Sequence, residues 1–188
     1  MGPDAPTLCD GWVTADLAAH LWVREHRPWA VPGMVTSDGW LHRSTDHQQA
    51  QVRRRPYPEI VAALRGGAPV RMPVLGQAVD LHEFFVHHED VRRAQEMEPR
   101  PLDRSLEQAL WRIVPVLARF LTRKARGIGI TLIASDHQRR RVRKGPREVH
   151  VHGRASELFL WLYGRPADVF VIANNETLRQ LESVQLGM

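Results

Sequence analysis

Residues 81 to 90, LHEFFVHHED, set acidic and imidazole side chains among Leu81, Phe84, Phe85 and Val86. The surrounding segment, about Val79 to Ala94, reads as a helix, so its residues can be placed on a wheel at about 100° per residue. On that wheel Glu83 and His87 fall together, four residues apart, among Val79, Val86, Val91 and Ala94, with Asp90 close by. His82, Glu89, Arg92 and Arg93 gather on the other side and read as a solvated face. A carboxylate and an imidazole turned towards a core cost several kcal/mol unless a partner satisfies them. Either a buried ion pair or a divalent metal would do so.

A second helix offers a matching group. GWVTADLAAHLWVREHRP reads as a helix that Thr14 can cap, that Asp16 suits at its positive end, and that Pro28 stops. His20 lies between Leu17 and Val23 on the inward face, with Asp16 one turn before it to hold its second ring nitrogen and Arg24 one turn after. His20, Glu83 and His87 would give three N/O ligands and an open position, a pattern that belongs to catalytic metal sites. The residues alone leave this open against a hydrogen-bonded core histidine or an ion pair. Arg24 is a candidate for holding an anionic substrate group or for pairing with Asp90.

The rest of the chain sets the frame. A linking stretch from about Trp29 to Asp46 precedes two short helices, HQQAQVRRR and PEIVAALRGG, and GGAPVRMPVLG reads as extended. A longer helix begins near Ser105, where Ser105 and Gln108 suggest a capping box. Leu106, Leu110, Ile113, Leu117 and Phe120 form its stripe, and Pro115 predicts a kink. Beyond about Arg126 the period shortens. GIGITLIA, EVHVHG and ADVFVIAN read as strands, SELFLWLYG as an apolar helix ended by Gly164, and ETLRQLESV as a closing helix capped by Asn175. The fold class is therefore α+β: a helical part over 1–125 followed by a small α/β domain over 126–188.

Composition narrows the function classes. The longest apolar run, Leu158 to Tyr163, is too short to cross a bilayer, and no basic-then-apolar leader opens the chain, so a cytoplasmic protein without a membrane partner is expected. One cysteine, Cys9, excludes an internal disulfide framework and leaves a buried thiol or a redox group. The 26 Lys and Arg outnumber the 21 Asp and Glu, with a cluster in QRRRVRKGPR and a shorter one at Arg53 to Arg55. No aromatic residue is interleaved with the longer cluster, so it reads as a solvated hairpin rim and nucleic acid is not an expected partner. His88 lies off the metal face. His150 and His152 share a strand face without a third ligand and read as surface residues.

Three segments carry a family resemblance: PTLCDGWVTADLAAHLWVREHRP, EFFVHHEDVRRA and VHVHGRASELFLWLYGR. They resemble an actinobacterial family of metal-binding proteins in the DinB/YfiT-like superfamily, related to mycothiol-dependent maleylpyruvate isomerase. The resemblance implies a DinB-like helical bundle in which His20, Glu83 and His87 hold a divalent metal, with zinc favoured over nickel, iron or manganese. It further implies mycothiol as thiol cosubstrate and a small electrophile as the other partner, the activity of a thiol transferase or isomerase. A non-catalytic metal-binding or sensing protein is the alternative. Members of the family carry a helix before the TLCDGW-like segment, where this chain has MGPDAP. The resemblance thus implies a bundle without its first helix, whose open groove a homodimer could cover.

Overall fold

The computed structural model describes residues 1–27, 40–67, 74–184 and 186–187; in the helices that begin at 40 and 74, side chains are described from 43 and from 81 onward. The expected stop at Pro28, the linking stretch through 39 and the extended segment over 68–73 lie outside these residues. Among the described residues there are seven helices and one four-stranded mixed sheet, an α+β fold. No helix among them is long and apolar enough to cross a membrane.

The chain divides into two compact units, Met1–Met97 and Glu98–Met188. The expected boundary near residue 125 differs from this by one helix: the amphipathic helix Arg104–Leu121 packs on the sheet unit's own helix and strand.

The first unit is built around α1 (Thr14–His26), which contacts α2 (Trp40–Arg53), α3 (Tyr57–Gly66) and α4 (Val74–Arg93). Ala18, Ala19, Trp22 and Val23 of α1 form a core with Val52 and Ile60. Small alanines allow close approach of the neighbouring helices, and Trp22 and Ile60 fill the space between. The helix start differs from expectation. Val13 is the N-cap and its backbone N–H donates to the Asp16 carboxylate at 3.0 Å, while the Thr14 hydroxyl donates to the Gly2 carbonyl at 2.6 Å. The segment before α1 is thereby folded onto it, with Pro6 bridged to Val13. Part of the stretch expected to link, 40–46, is helical and belongs to α2, and α4 begins at Val74 rather than near Val79.

In the second unit α5 (Arg104–Leu121), β1 (Ile128–Ala134), β2 (Arg139–Arg143), β3 (Arg147–Gly153), α6 (Ala155–Leu162), β4 (Val169–Ile172) and α7 (Asn175–Glu182) follow in order. The sheet runs β2-β1-β3-β4, with β1 and β3 parallel and the outer pairs antiparallel. Alternation puts Ile128, Ile130, Leu132, Val149 and Val151 on a fully buried face, against which the apolar α6 packs. Gly145 lies so close to β1 that a Cβ there would sit 2.4 Å from the Ile128 carbonyl carbon. Two caps fall one or two residues before their expected places: Asp103 accepts from the Leu106 N–H and Asn174 from the Thr177 N–H. Helix α5 runs through Pro115 to Leu121, and Phe120, expected in its buried stripe, is 59% exposed.

Candidate metal centre

Helix α1 carries His20 and helix α4 carries Glu83 and His87, and the fold brings all three together. One donor atom from each, a ring nitrogen or a carboxylate oxygen, lies within 4.8 Å of the other two. His87 Nε2 is 3.4 Å and His20 Nε2 is 3.7 Å from Glu83 Oε2. The two imidazoles stand edge to face with centroids 5.2 Å apart. Donors bound tetrahedrally to zinc at about 2.0–2.2 Å stand roughly 3.4 Å from one another, so a shared ion needs only small side-chain adjustments. The donor set therefore fits a divalent cation.

The atoms behind the donors strengthen that fit. His87 Nδ1 is 2.9 Å from Asp90 Oδ2, so it donates its proton there and Nε2 is left as the ligand nitrogen. Asp90 is fully buried, and its Oδ2 also accepts from the Cys9 thiol at 3.2 Å. The Leu8 N–H donates to the Asp90 carbonyl, and Gln95 holds the Pro6 carbonyl, so the N-terminal segment sets Cys9 in place. Glu83 turns its second oxygen, Oε1, to His82 Nε2 at 3.0 Å. His20 Nδ1 is 3.0 Å from the Gln49 side-chain amide on α2. With the amide nitrogen donating, Nε2 keeps its proton and faces Glu83. With the amide turned over, its oxygen accepts from Nδ1–H and Nε2 presents a lone pair. Trp12 packs its ring 5.3 Å from that of His20.

Several of these roles were not visible in the sequence. His82 and Glu89, read as solvated, are 3% and 2% exposed. Glu89 is paired with Arg92 and Arg93, which lets it be buried. Asp16 does not reach behind His20; it accepts from Val13 and pairs with Arg53 at 2.8 Å. The partner of His20 is Gln49, which sits in a polar run of α2 with no distinguishing signal. Arg24 lies with Nη1 3.8 Å from Glu83 Oε2, its side chain 9% exposed. His88 is exposed, and His150 and His152 stand half-buried on the sheet face that carries the exposed Phe170 and Ile172.

The electrostatics follow from this packing. Burial opposes a charge on Glu83, but hydrogen bonds from His20, His82 and His87, with the Arg24 charge, jointly outweigh it and hold the carboxyl well below its usual range. Burial also opposes a charged His87, yet its bonds to Asp90, Cys9 and Glu83 win and raise it well above the ordinary imidazole. His20 is lowered, first by burial and then by the charges of His87 and Arg24, against the pull of Glu83. His20 is thus the neutral member of the pair and His87 the charged one.

No family model matches the chain, and no curated protein sequence matches it. Among solved structures, mycothiol-dependent maleylpyruvate isomerase superposes with a TM-score of 0.55 at 17% identity, covering 90% of this chain and 82% of that one. A histidine-to-alanine mutant of that isomerase superposes with a TM-score of 0.56 at 16% identity, covering 90% and 81%. The chain shares a related fold with that enzyme.

Proposed function

We propose that His20, Glu83 and His87 hold a divalent metal, zinc by preference, and that the protein activates a mycothiol-type thiol for attack on a small electrophile, as a thiol transferase or isomerase. One observation carries this reading: each of the three donors has its remote atom fixed by a dedicated partner, Gln49, His82 or Asp90. Such backing raises ligand basicity and fixes ring orientation, which a simple ion pair does not need. A cation bound there would supply Lewis acidity, lowering the pKa of a thiol from about 8.5 towards neutrality.

The chain's own residues have defined tasks in this scheme. Asp90 keeps the His87 proton on Nδ1, and His82 keeps one Glu83 oxygen turned away. Arg24, beside Glu83, adds its charge to the hydrogen bonds from His20, His82 and His87 that keep that carboxylate ionised, and is the candidate anchor for an acidic group on the electrophile. The thiolate adds to an electron-poor carbon. In an isomerisation it adds to a conjugated double bond, the electron pair moves onto the conjugated carbonyl, the former double bond rotates, and elimination returns the thiolate. The fold shared with a mycothiol-dependent isomerase supports the choice of thiol.

A non-catalytic metal-binding role is the second reading, favoured by how completely Glu83 is satisfied by side chains alone. Elemental analysis of the purified chain is expected to find about one divalent ion per chain, lost in His20→Ala and His87→Ala. Mycothiol conjugation with a generic electrophile separates the readings: metal without turnover supports the second, and no metal in the parent protein refutes both.

A further inference from the structure

A cavity of about 370 Å³ opens in the second unit, between the start of α5, the β1–β2 turn and the start of α6. Pro101, Leu102, Trp111, Ala134 and Ala155 make up the apolar part of its wall. Trp111 is 4% exposed and rigidly held, its indole N–H donating to Gln138 Oε1 at 2.8 Å and its ring 5.1 Å beneath the Arg140 guanidinium. A volume of this size matches a small organic molecule of ring dimensions.

The polar groups around the cavity are unevenly committed. The two carboxylates are in use. Glu107 takes the Ser156 N–H on one oxygen and the Ser156 hydroxyl on the other, at 2.8 and 2.7 Å. Asp136 takes the Gln138 N–H and side-chain amide on its two oxygens, at 3.3 and 2.7 Å. Gln138 Oε1 is held by Trp111. The donors are in surplus. Arg154 spends Nη1 on the Arg100 carbonyl and reaches Glu157 with Nη2 only at 3.5 Å. Arg104 makes no hydrogen bond or close ion pair among the described residues, although its charge acts on Asp136. Arg104 also stands at the first position of α5, where the helix dipole disfavours a cation, so its placement gains nothing for the helix.

We infer that this cavity is a binding site for a small amphipathic organic anion, its apolar body against Leu102 and Trp111 and its carboxylate-type head on Arg104 and Arg154. Guanidinium groups present paired N–H donors that match a carboxylate's two oxygens. Occupied carboxylates and the apolar part of the wall favour an anionic head with an apolar body. Every lining residue belongs to the second unit, so the inference does not depend on the metal.

The probe is benzoate, with benzyl alcohol as its neutral counterpart of similar size. Both are titrated into the full chain, stripped of metal by a chelator, and followed by calorimetry and saturation-transfer NMR. Saturable benzoate binding is expected, with benzyl alcohol and the Arg104→Ala variant each roughly tenfold weaker, the effect of a hydrogen bond to a charged group. Arg104→Ala is expected to melt close to the parent, since Arg104 makes no hydrogen bond or close ion pair among the described residues. His20→Ala is expected to bind benzoate like the parent. Equal binding of benzyl alcohol, no effect of Arg104→Ala, loss of binding in His20→Ala, or no saturable binding of benzoate would each overturn the inference.

Discussion

Replacement of Asp90 by Asn tests the metal centre at its support rather than at a ligand. Asp90 is 0% exposed and accepts from His87 at 2.9 Å and from Cys9 at 3.2 Å. Asn keeps the shape and one acceptor oxygen but removes the charge. A hydrogen bond to a charged group is worth about 1.5–3 kcal/mol, and a neutral acceptor keeps roughly half, so the metal-stripped protein should lose about 1–2 kcal/mol. For the loaded protein, loss of a carboxylate behind a ligand histidine typically costs about 10–100-fold in affinity, or roughly 1.4–2.7 kcal/mol. The pH dependence has a definite sign. Asp90 is the foremost group that raises His87, so the parent must release a proton from His87 to bind metal, and its affinity falls as pH falls through that raised pKa. In Asp90→Asn that pKa drops, proton competition weakens, and the deficit against the parent narrows towards acid. Zinc competition against a chromophoric chelator across pH, beside thermal melts of the stripped proteins, measures both effects. Affinity within twofold of the parent at alkaline pH, or a deficit that widens towards acid, would refute the reasoning.

His88→Ala should leave metal content unchanged while His87→Ala abolishes it, because His88 is exposed one residue from the ligand face; elemental analysis of the two variants decides this. Glu107→Ala removes both bonds to Ser156 at the start of α6 and should cost about 1 kcal/mol in denaturant unfolding, with zinc affinity unaltered. Gly145→Ala forces a methyl to 2.4 Å from the β1 backbone and should cost about 3 kcal/mol or more, read as a lowered urea midpoint.

What the sequence made legible was what repeats locally. A carboxylate and an imidazole four apart on one helix must share a face, and strands that alternate must have two faces, so Glu83 with His87 and the existence of β1, β3 and β4 could be read directly. The wheel fails where a helix is covered on more than one side. It sent His82 to solvent because it counts apolar neighbours, whereas His82 is buried by its bond to Glu83. Gln49 carries no local signal at all: its meaning comes from α2 lying along α1. Asp16 was a reasonable partner for His20 by spacing, but the helix N-terminus and Arg53 claim it first. The unit boundary fell at Met97 rather than near residue 125 for a similar reason. An amphipathic stripe announces that it will be buried but not by what, and that of α5 is taken by α6 and β2.

The centre can also be read as a buried ion cluster with no need of a metal, and charge counting separates the two accounts. Glu83 and Asp90 are anionic; Arg24 and a protonated His87 balance them, and His20 is neutral. The charges of these four groups cancel, as in a structural network. A closed network has no use for Nε2 of His20 and Nε2 of His87 converging on the same oxygen of Glu83, since one imidazole would satisfy it. Two nitrogens and an oxygen aimed at one point are wasteful for an ion pair and necessary for a coordination site. Exchange of the His87 proton for a divalent ion would leave these groups with one positive charge in excess, inside a shell that Trp12 helps to close. The buried surroundings penalise that excess until an anion joins it. A thiolate is such an anion, as hydroxide or a carboxylate would be, whereas a neutral thiol or alcohol would leave the charge unbalanced. Under the proposed function, the packing that makes the cluster tolerable on its own would favour an anionic ligand at the open position over a neutral one.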